Sequence, residues 1–350
     1  MAVVEARNFT SHLREEPQLH TSRSNATLAA VMTPPIGVII VSYNTCALLR
    51  GCLASLRGCT LPLRTVVVDN GSRDGSVAMV RADFPEVSLI EPGANLGFAA
   101  GNNCGLEVLF GSTADTPPYV LLLNPDTVVH EGAIEALAAF LAAHPRVGVA
   151  GPRLLNPDGT RQPAAFRFPT FSMTALDLFP PGEVLPGRLY DSWWHGRYPQ
   201  ERRANEPFPI DHPLGACMLV RRTVIEQTGG FDPTFFMYAE EIEWCLRIRR
   251  AGWAIWQIPA ARVTHYGGAS TGQFRANMQI ALWESRMRLF RMHYPPWFVR
   301  ANAALIQAGM LRSSVLAWRD FARGALDHSE LRERLWTFGQ ILRLACGGDS

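Results

Sequence analysis

The chain contains no lysine: all 33 residues counted as Lys or Arg are arginine. This excludes a phosphate-gripping lysine of the P-loop kind, a Schiff-base lysine and the nucleotide lysine of protein kinases. Any phosphate bound here must be met by backbone N–H groups, by arginine or by a metal ion. Charge of either sign is scarce, at 18% of residues with a formal net of +2, so the basic footprint of a dedicated nucleic-acid binder is missing. The seven cysteines, Cys46, Cys52, Cys59, Cys104, Cys217, Cys245 and Cys346, form no Cys-x-x-Cys pair and no zinc spacing. Their odd number and apolar neighbours fit reduced, buried thiols in a cytoplasmic protein. No uninterrupted apolar run reaches the length of about 18 residues that a membrane span requires. The first thirty-odd residues are polar, mixed in charge and without an apolar core, which argues against a secretory leader.

What remains is a chain of 350 residues, long enough to bury one large core with or without an appended subdomain. Residues 1–33 read as a loose polar tail closed by Thr33-Pro34-Pro35. Beyond it, short apolar runs alternate with stretches of helical spacing. Strands are expected at Ile36–Val41, Thr65–Val68, Val87–Ile90, Tyr119–Leu123 and Val147–Ala150. Helices are expected between them, over Asn44–Leu56, Gly75–Arg81, Ala99–Phe110 and Glu131–Ala143. The strands are apolar throughout rather than alternating. That pattern predicts an α/β fold with a mostly parallel sheet and helices on both faces. Residues 151–209 break the rhythm with proline, glycine, arginine and aromatics, and read as an ordered substrate loop. Regular structure resumes with a strand at Ala216–Val220, a helix at Ala239–Ala251 and a strand at Trp253–Ile258. From residue 273 the pattern is helical and basic, with 11 Arg against 6 Asp plus Glu, a net of +5.

In an open α/β sheet, ligands bind at the strand ends, and two apolar strands here end in a carboxylate. Val66-Val67-Val68 leads into Asp69-Asn70-Gly71-Ser72, and Leu121-Leu122-Leu123 into Asn124-Pro125-Asp126. Asp69 is either a turn-forming aspartate or an acceptor for the imide N–H of a pyrimidine base, an edge that only an acceptor reads. Asp126 is either a turn or cap residue for the next helix, or a single hard oxygen ligand for a divalent cation that diphosphate oxygens and water would complete. The small-residue stretch from Asn95 to Asn103 suits close helix–sheet packing and equally the approach of a ligand to the backbone. Glu240-Glu241-Ile242-Glu243 opens a helix, where acidic residues are good dipole partners. Adjacent glutamates point to different sides, so one is expected to serve the helix and the other a cleft. His265 ends a short strand before a glycine-rich loop. In the 151–209 loop, Trp193 and Trp194 either pack under the loop or present aromatic faces to a ligand, and Arg153 and Arg161 can grip a phosphate.

Taken in order, these segments resemble the family 2 glycosyltransferases of the GT-A fold, in particular rhamnosyltransferases of bacterial cell-surface polysaccharide assembly. The matching stretches are Val41-Ser42-Tyr43-Asn44, Val68-Asp69-Asn70-Gly71-Ser72, Asn95 to Asn103, Leu123-Asn124-Pro125-Asp126, Gly215 to Arg222, Gly229-Gly230-Phe231-Asp232, Glu240 to Arg247, and His265 to Thr271. The likeness covers roughly residues 36–272, in order.

The resemblance implies a GT-A transferase domain over 34–272, followed by a helical region over 273–350. It further implies inverting transfer of a sugar, L-rhamnose by the nearest likeness, from a dTDP or UDP donor to a polyprenyl-linked or saccharide acceptor. By the same analogy Ser42, Asn44, Asp69, Asn95, Gly97, Asn124 and Asp126 hold the donor, and Asp126 with His265 holds Mg²⁺ or Mn²⁺. Glu241 takes the place of the general base, where the family often has aspartate, and Glu240 remains open as the alternative. Gly215 and Ala216 fall on the acceptor side, where Trp193, Trp194 and Arg153 offer sugar-stacking faces and a phosphate grip. A sugar-nucleotide-binding module without catalysis, and a nucleotidyltransferase, are the other classes considered. The second lacks its glycine-rich basic loop in Ser42-Tyr43-Asn44-Thr45. The arginines near Trp297, Phe298 and Trp318 suit peripheral contact with an anionic membrane on the cytoplasmic side; a helical cap or a homo-oligomer contact is the plainer role.

Overall fold

The computed structural model of the protein describes residues 34–111, 116–180, 189, 192–267 and 275–347. The expected N-terminal tail, the stretch Gly268 to Thr271 and the boundary at 272/273 lie outside those residues.

β1 (Ile36–Ser42) is buried at every position. Its alternate side chains serve opposite faces, as the pleat requires. Val38 and Ile40 join a core with α1 (Cys46–Leu56), α2 (Ser76–Asp83) and α4 (Ala133–Ala143). Ile39 and Val41 join another with α3 (Gly97–Phe110), α6 (Arg222–Thr228) and α7 (Glu240–Arg250). A strand walled by apolar cores on both sides cannot alternate polar and apolar residues, which is why the run reads as continuous.

β1 pairs in parallel with β2 (Leu63–Asp69) and β4 (Tyr119–Leu123), and β2 with β3 (Ser88–Ile90). The register sets Ser42 beside Asp69, so the ends of β1 and β2 coincide. Past β4 the sheet becomes mixed. β11 (Cys217–Arg221) runs antiparallel between β4 and β6 (Val147–Leu155), and β12 (Ala254–His265) runs parallel to β6 but antiparallel to β5 (Thr127–Val129). The order is β3-β2-β1-β4-β11-β6-β12-β5. The expected parallel arrangement is unbroken from β3 to β4, and beyond it recurs between β6 and β12. A strand buried on both faces looks alike in either direction, so periodicity carried no information about β11.

Residues 151–209 are more structured than a loop. β6 runs on to Leu155, followed by β7 (Arg161–Gln162), β8 (Ala165–Phe166), α5 (Phe171–Leu178) and β9 (Phe208–Pro209). β10 (His212–Pro213) pairs with β8. Strands of two residues leave no periodic trace in a sequence.

The small residues of α3 do pack it closely onto β1. A Cβ on Gly105 would lie 2.5 Å from Ile39 Cγ2, and one on Gly101 would lie 2.9 Å from Val41 Cγ1. Gly97, at φ +78°, would put a Cβ 2.3 Å from the Phe236 carbonyl oxygen. At this glycine the segment leading to α7 docks on α3, with Phe98 N donating to that same oxygen at 2.9 Å.

Three C-terminal helices, α8 (Arg275–His293), α9 (Pro296–Ala322) and α10 (His328–Ala345), bury Met287, Phe290, Ile306 and Ile341 against Leu178 of α5 and against Phe235 and Ala239. Glu243 of α7 ties the bundle to the sheet. It meets Arg247 at 2.8 and 2.7 Å and His293 Nε2 at 3.0 Å.

Candidate active site

Strand pairing brings Asp126 and His265 together. β5 and β12 run antiparallel with Thr127 opposite His265, and Tyr266 N donates to the Asp126 carbonyl at 2.9 Å. The carboxylate does not cap a helix: β5 follows it directly, and α4 starts only at Ala133, after Gly132. His265 Nε2 stands 3.4 Å from Asp126 Oδ1. Its other ring nitrogen, Nδ1, lies 2.7 Å from Gln162 Oε1. The Gln162 amide is oriented by two acceptors, Asn156 Oδ1 at 3.0 Å and the His265 carbonyl at 3.3 Å. Gln162 therefore presents its oxygen to the ring. Nδ1 donates to Gln162, and Nε2 is the ring nitrogen that faces Asp126.

Two ligands of one cation, each about 2.1 Å from it, stand roughly 3–4 Å apart, and the observed separation falls in that range. Among the described residues no group of three or more His, Cys, Asp or Glu side chains suited to a metal forms. A cation here would take two protein ligands and find the rest on a substrate. A hard carboxylate and an oriented imidazole fit that use.

The same cavity, of about 390 Å³, is lined by Ser42, Asn95, Gly97, Asn124, Asp126, Gly215, Ala216, Glu240, Glu241 and His265. It draws on the ends of β1 and β4, the start of α3, the approach to β11, the start of α7 and the end of β12. Met278 of α8 completes the wall, so the C-terminal helices take part. Ten of the residues singled out in the sequence thus converge on one space.

Both adjacent glutamates line this cavity, contrary to the expected division of labour. Successive side chains in a helix diverge by only about 100°, and on a concave wall both still reach it. The acidic residue that serves the helix is Glu243. Just ahead of the pair, Tyr238 (φ 69°) and Ala239 (φ 63°) are consecutive non-glycine residues in the left-handed region. Such residues cost about 1–3 kcal/mol each. Contacts on both sides hold them, including Glu243 N to the Ala239 carbonyl at 2.8 Å and Ser285 Oγ to the Met237 carbonyl at 2.8 Å.

Glu240 is buried and its Oε2 has no hydrogen-bond partner. Burial, reinforced by the charge of Glu241, holds its carboxyl well above the usual range. Burial also raises Glu241, to about 7. Glu241 ionises first, and its charge keeps the proton on Glu240. A carboxyl whose pKa rises on folding disfavours the folded state once it ionises, so its contribution to stability falls as pH climbs above the unfolded value of about 4.3. Glu240→Gln is therefore expected to be more stable than the parent at pH 8, by roughly 1–3 kcal/mol, a range set by the cost of a buried group without a partner. The gain should disappear near pH 4. Urea melts at both pH values check this, and an equal effect at both would refute it.

Asp69 and Asn44 lie beside the cavity and do not line it. Asp69 Oδ2 accepts from Gly71 N at 3.2 Å and Ser72 N at 2.8 Å, a turn-forming role. Its Oδ1 is buried without a partner. Asn44, at φ 50°, accepts from Arg73 N at 2.8 Å and ties the end of β1 to the same turn. Arg153, Trp193 and Trp194 do not reach the cavity. The Arg153 guanidinium is committed to the Ala204 carbonyl, Trp193 lies under Arg167 at 4.6 Å, and Trp194 is 67% exposed. Sequence reasoning also missed Gln162, which sits on a two-residue strand and carries no charge to draw notice.

A mixed sheet flanked by helices, with this cavity at its strand ends, has the architecture of a GT-A glycosyltransferase. Residues 37–229 match the family model described as glycosyl transferase family 2, and the chain belongs to that family. It is 31% identical, over 81% of its own length and 95% of the relative's, to an N-acetylglucosaminyl-diphospho-decaprenol L-rhamnosyltransferase found in two strains of Mycobacterium tuberculosis. The fold is shared with a mannosyltransferase from Pyrobaculum calidifontis in complex with GDP-Man and Mn²⁺ (TM-score 0.50, 18% identity, 90% of this chain and 86% of that one). It is shared too with GalNAc-T7 bound to UDP, GalNAc and Mn²⁺ (TM-score 0.51, 15% identity, 87% of this chain and 54% of that one).

Proposed function

We propose that this chain is an inverting transferase that moves L-rhamnose from a dTDP- or UDP-linked donor to a hydroxyl of a polyprenyl-diphosphate-linked saccharide. The observation that carries the reading is the convergence, in one cavity, of the Asp126–His265 pair with two glutamates of raised pKa. Glu241 accepts the proton of the acceptor hydroxyl as its oxygen bonds to the anomeric carbon. The bond from that carbon to the donor diphosphate breaks on the opposite face, and a single displacement inverts the centre. Asp126 and His265 would hold Mg²⁺ or Mn²⁺, which would supply Lewis-acid stabilisation of the leaving diphosphate, a task for which this chain has no lysine. Asp69, through its unpartnered Oδ1, accepts from the pyrimidine imide. Ser42, Asn44, Asn95, Gly97 and Asn124 shape the donor side, and Gly215 and Ala216 the acceptor side beside Glu241. Residues 34–272 form the transferase proper, followed by the helical region over 273–350, whose Met278, Arg286 and Phe290 line the site's cavities. The mycobacterial relative's name supports both the sugar and the acceptor.

Thermal stabilisation across a panel of nucleoside diphosphates and their sugars, with and without Mn²⁺, tests the reading. Metal-dependent stabilisation by dTDP or UDP is expected; its absence for every pyrimidine diphosphate would sink the proposal. Gln162 acts through His265, and loss of such an outer partner typically weakens metal binding 10–100-fold. Gln162→Ala should lower Mn²⁺ affinity in the presence of UDP by that factor in a calorimetric titration. Unchanged affinity would make Gln162 merely structural.

Among the described residues, no helix is long and apolar enough to cross a membrane. α9 nonetheless exposes Trp297, Leu311, Val315 and Trp318 at 65, 59, 69 and 54%, with Arg300, Arg312 and Arg319 exposed alongside. That face suits an anionic bilayer surface on the cytoplasmic side, where a polyprenyl-linked acceptor would be met. The protein is expected to sediment with anionic vesicles at low salt and to be released as salt rises. A chain that stays in the supernatant at low salt, or forms a homo-oligomer through this face, overturns the assignment.

A further inference from the structure

A second cavity, of about 200 Å³, adjoins the first, and Glu241 and Leu214 stand in the wall common to both. Asp126 and His265 line only the first. The proposed base is thus approached from two sides, and only one of them holds the pair suited to a metal and diphosphate.

The second cavity has its own polar equipment. Arg197 lies with its guanidinium over the Phe166 ring at 4.3 Å, and its buried Nη1 has no hydrogen-bond partner. A charged donor left unsatisfied under protein is costly, so this N–H has unmet demand for an acceptor. Of the carboxylates whose charge it feels, Glu201 accepts instead from Ala164 N and from Gln257 Nε2, each at 2.9 Å. Asp177 is held by Arg286 at 2.8 Å and by His195 Nε2 at 2.9 Å. His212, stacked on Phe166 at 5.5 Å, is pushed down to about 4 by burial and is neutral at physiological pH. Arg197 and Arg286 thus share this lining with Asp177 and Glu241. Burial lowers the pKa of the Arg197 guanidinium, against the opposing charges of Glu201 and Asp177.

We infer that the second cavity is the acceptor subsite, and that Arg197 binds a phosphate oxygen of an acceptor whose sugar is carried on a phosphate or diphosphate ester. The inference rests on Glu241 being the base of glycosyl transfer. An acceptor entering this way brings its hydroxyl to Glu241 from the side away from the donor diphosphate, which is what inversion requires. Arginine suits the task, because its planar fork matches phosphate oxygens in a way that a hydroxyl or amide cannot. The apolar lining from Met173 and Phe290 excludes water and strengthens that contact.

The test is a calorimetric titration of the full chain with a short-chain alkyl diphosphate in EDTA, so that no divalent cation draws the probe into the first cavity. Wild type and Asp126→Ala are expected to bind equally. Arg197→Gln should lose at least about tenfold in affinity, with Arg197→Lys between them, as expected when a charged hydrogen bond of roughly 1.5–3 kcal/mol is removed. No binding by wild type, equal binding by all four proteins, or binding lost in Asp126→Ala and kept in Arg197→Gln would each overturn the inference. Unchanged Mn²⁺-dependent stabilisation by nucleotide in Arg197→Gln controls for folding. That nucleotide assay stands or falls without this subsite, so failure of the transferase reading is told apart from failure of the subsite.

Discussion

Glu241→Gln should fold normally and transfer sugar about 10²–10⁴ times more slowly than the parent, the usual contribution of a positioned general base. An amide occupies the same volume in the wall, where Glu241 Cγ lies within 3.4 Å of the Cβ position of Gly215, but it cannot take the acceptor's proton. The loss should fall on kcat, with donor affinity kept, because the proton moves only as the new bond forms. The pH profile provides the second arm. With Glu241 raised to about 7, parent kcat/KM should climb about tenfold per pH unit below 7 and level off above it, since the base works only when ionised. The variant's residual rate should lack that limb. The parallel variant Glu240→Gln decides between the neighbours. If it loses the rate and Glu241→Gln does not, the base is Glu240.

Asp126→Ala is the other large effect. It removes one of the two protein ligands available to a cation, and the remaining imidazole cannot hold a hard divalent ion alone. Mn²⁺-dependent stabilisation by UDP or dTDP should vanish, and kcat/KM should fall by roughly 10³-fold or more, matching several kcal/mol of lost Lewis-acid stabilisation. The cation-free protein should unfold at nearly the parent's temperature, because His265 keeps its bond to Gln162 at 2.7 Å. Persistence of the metal-dependent shift in this variant would remove Asp126 from the metal site. Asp126→Asn separates charge from shape: it should behave like the alanine variant if charge is what matters.

Much of this was legible before any coordinates, and particular residues explain why. Doubly buried strands such as Val66-Val67-Val68 and Leu121-Leu122-Leu123 announce themselves by composition, and the polar residue that ends each is conspicuous against it. Their direction is a different matter: β11 reads the same either way, so its antiparallel insertion could be found only in space. Gln162 was invisible because an uncharged residue on a two-residue strand has no local signature. Its role depends on His265, about a hundred positions away. Trp193 and Trp194 were ambiguous for another reason: aromatic content does not tell packing from ligand contact, and Trp193 packs against Arg167 and Tyr198. Glu240 and Glu241 were misjudged by assuming a flat helix face where the wall is concave.

The sheet order also carries a consequence for synthesis. β3, β2, β1 and β4 all come from the first 123 residues and can pair as soon as they leave the ribosome. β12 then inserts between β6 and β5, and it delivers His265 to an Asp126 made about 140 residues earlier. Such long-range pairing is slow and comes late. A nascent chain can therefore build β3, β2, β1 and β4 while His265 is still untranslated. Until β12 emerges, the cavity lacks one of its walls.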